Sequence, residues 1–200
     1  MNTFSKYAII AFCWLAVLYP LWVRANSLTW AFDQTLLPNL FPLFGLATVS
    51  LLWLHSISGV FEPWLRANFD FDKFVNVTAS MILVCIIAHP LLLLIIMNFK
   101  LSDIYLIYGT TYITLGIIAW LLLIIYDITK PLKKHHHFFA KHWNAILLIS
   151  NIGFLLSFLH SLNLGSDLQT GPLRYIWIFY GITATLAIIY TYGVKRFFTI

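Results

Sequence analysis

The 200-residue chain is 61% hydrophobic, contains only 10% charged residues and has a formal net charge of +5. Soluble domains typically carry about 25% charged residues, so this composition excludes an ordinary soluble protein and predicts an integral membrane protein. The basic residues lie between apolar runs and form no continuous groove for a phosphate backbone, so nucleic acid is not an expected partner.

Six apolar runs are long enough to cross a bilayer, since a membrane-spanning helix needs about 20 residues. The fold prediction is an all-α integral membrane protein, a bundle of six transmembrane helices forming one domain over residues 1–200. No internal repeat is evident, and no room remains for a separate soluble domain. The predicted spans are roughly Tyr7–Val23, Leu40–Val60, Phe74–Met97, Ile104–Tyr126, Trp143–Leu164 and Leu173–Val194.

The first span resembles a secretory signal, because Lys6 precedes it and Val23-Arg24-Ala25 follows it. It is long for the apolar core of a signal, and an Arg one residue before the cleavage point is unusual. We therefore expect it to be retained as a helix. Cleavage would leave the orientation of the other five spans unchanged.

The distribution of Lys and Arg predicts the orientation, because cytoplasmic loops are enriched in these residues. The smaller set on one side is Arg24, Lys100 and Arg174. The larger set on the other side is Lys6, Arg66, Lys73, Lys130, Lys133, Lys134, Lys141, Lys195 and Arg196. Both termini are therefore predicted to be cytoplasmic.

Two histidines, His89 and His160, lie within the third and fifth spans. By the predicted topology both are in the outer half, about 12 Å and about 6 Å from the outer ends of their helices. A neutral imidazole in hydrocarbon needs a partner, and two at similar depth can ligate one haem iron from both sides. The alternative is that each is hydrogen-bonded to a neighbouring helix. Pro90 frees the carbonyl of Ile86, which predicts a local kink beside His89.

A second pair, His142 and His55, lies nearer the predicted cytoplasmic face. His142 precedes His160 by five helical turns, about 27 Å, so one haem cannot contact both. His142 is either the ligand of a second, inner haem or an interfacial residue, and the interfacial interpretation is favoured. His55 is either the opposite ligand or a donor to a backbone carbonyl of the next helix.

The run from Lys133 to His137 has the composition of a short metal-binding tract. Consecutive side chains cannot all converge on one metal, so a patch that binds lipid headgroups is the favoured interpretation. Cys13 and Cys85 lie inside spans and indicate no disulfide framework. The sequence contains no nucleotide-binding, zinc-protease or serine-hydrolase motif.

The order of these features resembles the ferric reductase-like transmembrane domain family. The most specific likeness is the segment Tyr112-Ile113-Thr114-Leu115-Gly116-Ile117-Ile118-Ala119-Trp120 before a basic loop; His89-Pro90 and His142-Trp143 through His160 complete it. Within that family, the likeness is greatest to the haem-binding membrane subunits of bacterial methionine sulfoxide reductase systems. It covers about residues 40–195.

This resemblance implies a six-helix bundle that stacks b-type haems in a bacterial inner membrane, with His89 and His160 as the outer pair of ligands. It places the inner ligands 13 or 14 residues earlier on the same helices. Those positions hold residues that cannot serve as ordinary haem ligands: Val75 and Asn76, and Ile146 and Leu147. One haem b is therefore expected and a second is doubtful. The inner haem is missing, is replaced by a flavin such as FMN, or is held by His142 and His55 in altered geometry.

The expected function is that of a membrane haem-b electron-transfer subunit of an oxidoreductase system. It would pass electrons from a cytoplasmic-side donor, a flavin reductase or quinol, to an outer-face redox protein or ferric iron. Donor and acceptor would be separate molecules. The alternative is a haem-free six-span membrane protein, either a small transporter or an assembly factor.

Overall fold

The computed structural model describes residues 3–28 and 30–195, and within these residues it contains helices and short connections but no strand. Two irregular turns accompany the helices, a 3-10 turn at Ser166–Leu168 and a π-helical turn at Tyr190–Val194. The helices are α1 Thr3–Asn26, α2 Leu36–Val60, α3 Glu62–Asn68, α4 Phe71–Ile96, α5 Leu101–Tyr108, α6 Thr110–Leu132, α7 His137–Lys141, α8 Trp143–Leu164 and α9 Pro172–Ile189.

Six of these elements are long and apolar enough to cross a membrane: α1, α2, α4, α6, α8, and α9 together with the π-helical turn. The prediction of an all-α bundle of six transmembrane helices is confirmed. The chain is a multi-pass integral membrane protein, and the lipid bilayer is its surroundings.

The fourth span begins later than the sequence predicts. The apolar run from Ile104 is divided by Gly109, whose φ of 81° lies in the region that favours glycine. The short helix α5 ends at this glycine, and α6 then runs from Thr110 to Leu132. Hydropathy alone does not show the break, because the residues on both sides of it are apolar.

Two helical hairpins form the centre of the bundle, and the contacts within them are the most extensive in the molecule. The first hairpin consists of α2, α3 and α4, and the second of α6, α7 and α8. In each, two long helices pack side by side and a short helix connects them. Helix α2 also contacts α1, α8 and α9, so it joins the first hairpin to the rest of the bundle.

Large apolar side chains lie on both the inside and the outside of this bundle. Trp177 and Leu168 are 0% exposed and Phe154 is 1% exposed. In contrast, Val84 on α4 and Leu186 on α9 are each 61% exposed. Large exposed apolar side chains along membrane-length helices suit contact with the acyl chains of a bilayer.

Candidate functional site

His89 on α4 is held against the first helix of its own hairpin. Its Nδ1 atom lies 2.8 Å from the backbone carbonyl oxygen of Phe41 on α2. A carbonyl oxygen can only accept, so Nδ1 carries the proton and donates it, and the lone pair is on Nε2. The ring also lies over Gly45, where an added Cβ would be 3.0 Å from the His89 Cε1 atom. The hairpin therefore fixes both the position and the tautomer of this imidazole.

His160 on α8 has the same arrangement in the second hairpin. Its Nδ1 atom lies 2.8 Å from the carbonyl oxygen of Tyr112 on α6, so Nδ1 donates and Nε2 again carries the lone pair. The ring lies over Gly116, where an added Cβ would be only 2.6 Å from Nδ1. No side chain larger than hydrogen fits at Gly116 unless the imidazole moves.

These two arrangements form an internal repeat. The aromatic residue, the glycine and the histidine each recur 71 residues later (41 and 112, 45 and 116, 89 and 160). We call these six residues the histidine layer: Phe41, Gly45, His89, Tyr112, Gly116 and His160. Sequence reasoning missed the repeat. The pattern is visible in the sequence. Twice in the chain, an aromatic residue is followed by a glycine four positions after it and by a histidine 48 positions after the aromatic residue.

His89 and His160 occupy equivalent positions, each against the glycine of its own hairpin. Both side chains are half-buried, and within residues 3–28 and 30–195 neither Nε2 makes a hydrogen bond. Histidines that ligate metals typically donate the other ring N–H to a backbone carbonyl or carboxylate, which sets the tautomer and orients the ring. The donor set of the histidine layer thus fits coordination of one iron by two neutral imidazoles.

A bond between the hairpins lies beside His89. Pro90 has no N–H, so the carbonyl of Ile86 on α4 has lost its usual helical donor. The indole Nε1 of Trp120, on α6, donates to this carbonyl at 2.9 Å. The sequence predicted the free carbonyl but not its partner.

A cavity of about 210 Å³ lies between the two hairpins and α9, towards the end that carries α3 and α7. We call the residues around it the cavity layer. On α2 this layer is about 15 Å from the histidine layer, the distance from Gly45 to His55 along the helix. Its volume is below the ~300–1000 Å³ that small-molecule and cofactor sites usually have. Its polar members are His55, Ser56, Tyr126, Asp127, Ser150, Asn151, Thr191 and Tyr192.

His55 has the opposite tautomer from the two histidines above. Its Nε2 atom lies 2.6 Å from the hydroxyl oxygen of Thr78 on α4. That hydroxyl donates its own hydrogen to the carbonyl of Phe74 at 2.7 Å, so it can only accept from the histidine. Nε2 of His55 therefore carries the proton and has no lone pair for a metal. The acceptor is a hydroxyl, not the backbone carbonyl that the sequence suggested.

His142 lies elsewhere. It occupies the junction of α7 and α8, with its ring 4.7 Å from the ring of Phe138, and it is not among the residues that line the cavity. Of the four positions where the resemblance places inner ligands, Val75 and Leu147 line the cavity, whereas the other two do not. The structure shows no contact between His142 and His55 in the part of the chain that it describes, and their pairing around an inner haem stays a prediction.

The Lys133–His137 tract lies at the end of the bundle that carries α3 and α7. The Lys133 ammonium lies 4.5 Å from the ring centroid of Trp143, which suits a residue at the headgroup level. Among the described residues no group of three or more His, Cys, Asp or Glu side chains is placed to hold a metal ion. Cys13 and Cys85 are free thiols.

Comparison with protein-family models, with curated proteins and with solved structures finds no match to this chain. The resemblance to the ferric reductase-like family therefore stays a prediction. The geometry of the histidine layer carries the functional argument.

Proposed function

We propose that the chain is a membrane electron-transfer protein that holds one b-type haem through Nε2 of His89 and Nε2 of His160. The observation that supports this is the histidine layer. Two equivalent imidazoles, one from each hairpin, have Nδ1 committed to a carbonyl and Nε2 left with a lone pair. Neutral imidazole nitrogen is a common ligand for haem iron, and the repeat supplies one such nitrogen from each hairpin.

The chain's own residues hold and orient the group in this proposal. Phe41 and Tyr112 supply the carbonyls that fix the tautomers, and Gly45 and Gly116 leave space for the two rings. A haem with two histidine ligands exchanges one electron between its ferric and ferrous states and has no open position for oxygen. The protein's contribution is therefore position and potential.

The wider setting follows from the resemblance and from the charge distribution. We place the protein in a bacterial inner membrane with α3 and α7 on the cytoplasmic side and the histidine layer in the outer half. It would act as the haem subunit of an oxidoreductase system. The donor would be a cytoplasmic-side flavin reductase or quinol, and the acceptor an outer-face redox protein or ferric iron.

A second candidate function, that of a haem-free small transporter, is favoured by one observation. The cavity that Asp127 lines is also lined by Thr191, whose buried hydroxyl has no hydrogen-bond partner among the described residues. Polar groups inside a bundle can mark a solute pathway. The absorption spectrum separates the two functions.

The test is to purify the protein from haem-replete cells and to record oxidised and dithionite-reduced spectra. We expect a bis-histidine b-type spectrum with about one haem per chain. His89→Ala and His160→Ala should each lose nearly all haem, because one remaining imidazole cannot hold the iron from both sides. His142→Ala is the matched control and should keep the wild-type haem content. A colourless wild-type protein, or ligand variants with full haem content, would contradict the proposal.

The orientation has its own test. Lys100 and Lys134 are both exposed and lie at opposite ends of the bundle. In intact spheroplasts, a membrane-impermeant thiol reagent should label Lys100→Cys and leave Lys134→Cys unlabelled until the membrane is broken. The reverse pattern would invert the proposed topology.

A further inference from the structure

We propose that Trp120 is a positioning residue that fixes where His89 stands relative to His160. This inference rests on the proposed function, because it concerns the two ligands of one haem. It starts from the proline beside His89 and from the residues that surround it, and it does not require Trp120 to touch the haem.

Pro90 creates the need for an external donor. Its ring nitrogen has no hydrogen, so the carbonyl of Ile86, four residues earlier on α4, is left without its helical partner. In a bilayer no water is present to satisfy such a group, and neighbouring helices must supply the donor. The indole N–H of Trp120, 2.9 Å away, is that donor. The proline frees the carbonyl and the indole satisfies it, so the two residues form a matched pair.

Because of the position of Trp120 on α6, this bond links the surroundings of the two histidines. Trp120 is about one turn after Gly116, the residue on which the ring of His160 lies. Ile86 is about one turn before His89 on α4. One stretch of α6 thus contacts the ring of His160 through its glycine and the turn before His89 through its indole. A shift of α4 along α6 would move one ligand and not the other.

The repeat shows that this bond is an addition to the basic arrangement. The position equivalent to Trp120 in the first hairpin is Val49, and the position equivalent to Pro90 in the second is Ser161. Neither can make the same contact, since valine has no donor and serine keeps its amide N–H. Helices α4 and α6 otherwise touch little, and a second side-chain hydrogen bond joins them from Lys130 to Asn76 at 3.3 Å. Of these two bonds, the one from the indole is next to a histidine of the histidine layer.

The experiment first removes the indole N–H and then, in a second variant, gives the Ile86 carbonyl a helical donor in its place. Trp120→Phe deletes the donor, and Pro90→Ala restores an amide that can bond to the carbonyl of Ile86. The matched control is Trp53→Phe. Its indole also donates between helices, at 2.8 Å to the Thr183 hydroxyl on α9, and lies about two turns after Gly45 on α2. The measurements are haem affinity, the electron paramagnetic resonance signal of the ferric haem, and the unfolding midpoint of the haem-free protein in detergent.

We expect Trp120→Phe to lower haem affinity by at most about tenfold, because a direct hydrogen-bond partner of a metal ligand is worth about 10–100-fold and Trp120 acts on His89 only through the backbone of α4. Its ferric signal should shift, because the relative placement of the two imidazoles changes. Trp53→Phe should lower the unfolding midpoint and leave the ferric signal at the wild-type position. In the Pro90→Ala background, Trp120→Phe should have a clearly smaller effect on haem affinity and on the unfolding midpoint.

Three results would overturn the inference: wild-type haem affinity and ferric signal in Trp120→Phe, an equal spectral shift in Trp53→Phe, or an undiminished effect of Trp120→Phe in the Pro90→Ala background. If Trp120→Phe does not accumulate, the double variant decides, since its recovery supports the inference and its failure to accumulate overturns it. A colourless wild-type protein would instead refute the proposed function, and the unfolding midpoints would still test the bond between Trp120 and Ile86.

Discussion

The histidine layer and the cavity layer are built by the same two hairpins, yet they differ in how far the two halves match. In the histidine layer, each position has the same kind of residue in both hairpins: an aromatic residue, a glycine and a histidine. In the cavity layer, the equivalent positions differ. His55 corresponds to Tyr126, and Ser56 corresponds to Asp127.

This difference indicates what each layer can bind. In the histidine layer, each hairpin offers an imidazole whose Nε2 keeps its lone pair. The cavity layer presents two unlike walls, and its histidine has already committed Nε2 to the Thr78 hydroxyl.

Among the variants that test this difference between the two layers, we expect Gly116→Ala to have the largest effect. Its Cβ would lie 2.6 Å from Nδ1 of His160, so the imidazole must move and its bond to the Tyr112 carbonyl must weaken. Overpacking typically costs about 1–3 kcal/mol, partly offset by about 1 kcal/mol of improved helix propensity. We expect a net loss of about 0–2 kcal/mol in the free energy of unfolding and, in addition, loss of most bound haem.

Haem content and the unfolding midpoint in detergent are the two measurements for Gly116→Ala. Gly59→Ala is the matched control, because nothing lies within 4 Å of its added Cβ and it is also in a membrane helix. The control should retain haem and be at least as stable as the wild type. Retention of full haem content in Gly116→Ala would show that the ring of His160 does not need its observed position.

A smaller effect, confined to stability, should follow from Thr78→Val in the cavity layer. The variant leaves the N–H of His55 without its acceptor, which should cost about 1 kcal/mol. Thr185→Val is the control, since the hydroxyl of Thr185 donates to the Gly181 carbonyl and accepts from no side chain in the described residues. We expect the unfolding midpoint to fall more for Thr78→Val than for Thr185→Val. Haem content should stay at the wild-type level in both, and a loss in Thr78→Val would mean that the cavity layer holds haem.

Gly45→Ala should have a weaker effect than Gly116→Ala. Its added Cβ would be 3.0 Å from Cε1 of His89, so the ring needs to move by only a few tenths of an ångström. We expect haem affinity to fall a few-fold, with little change in the unfolding midpoint because of the gain in helix propensity. Titration of haem into the haem-free protein gives the comparison. A larger loss in Gly45→Ala than in Gly116→Ala would reverse the ranking that the two distances predict.

The fold was predictable from the sequence because a long apolar run in a bilayer has few structures open to it other than a helix. The sequence also singled out His89 and His160, since polar side chains are conspicuous in such runs. It placed the start of the fourth span six residues early, because hydropathy does not register the backbone conformation of Gly109.

The sequence predicted neither the repeat nor the hydrogen-bond donor to the Ile86 carbonyl. Many equivalent positions in the two hairpins hold different apolar residues, so the few matching positions do not stand out along the chain. The freed carbonyl was predictable from Pro90 alone, since the loss of a helical donor is local. Its acceptance of a bond from Trp120 depends on how α4 and α6 pack, and only the three-dimensional structure shows that.

The smallest expected effect is that of Tyr126→His, which gives the cavity layer a histidine in both hairpins. If a matched pair of imidazoles were sufficient, this variant would bind a second haem. We expect no increase in haem per chain, because Nε2 of His55 is protonated and bonded to Thr78, and because the cavity of about 210 Å³ is small for a cofactor. Haem stoichiometry by absorption against protein mass checks this. A rise from about one haem to about two would show that the cavity layer is a latent haem site whose only missing element was a second histidine, and that the tautomer of His55 yields to the metal.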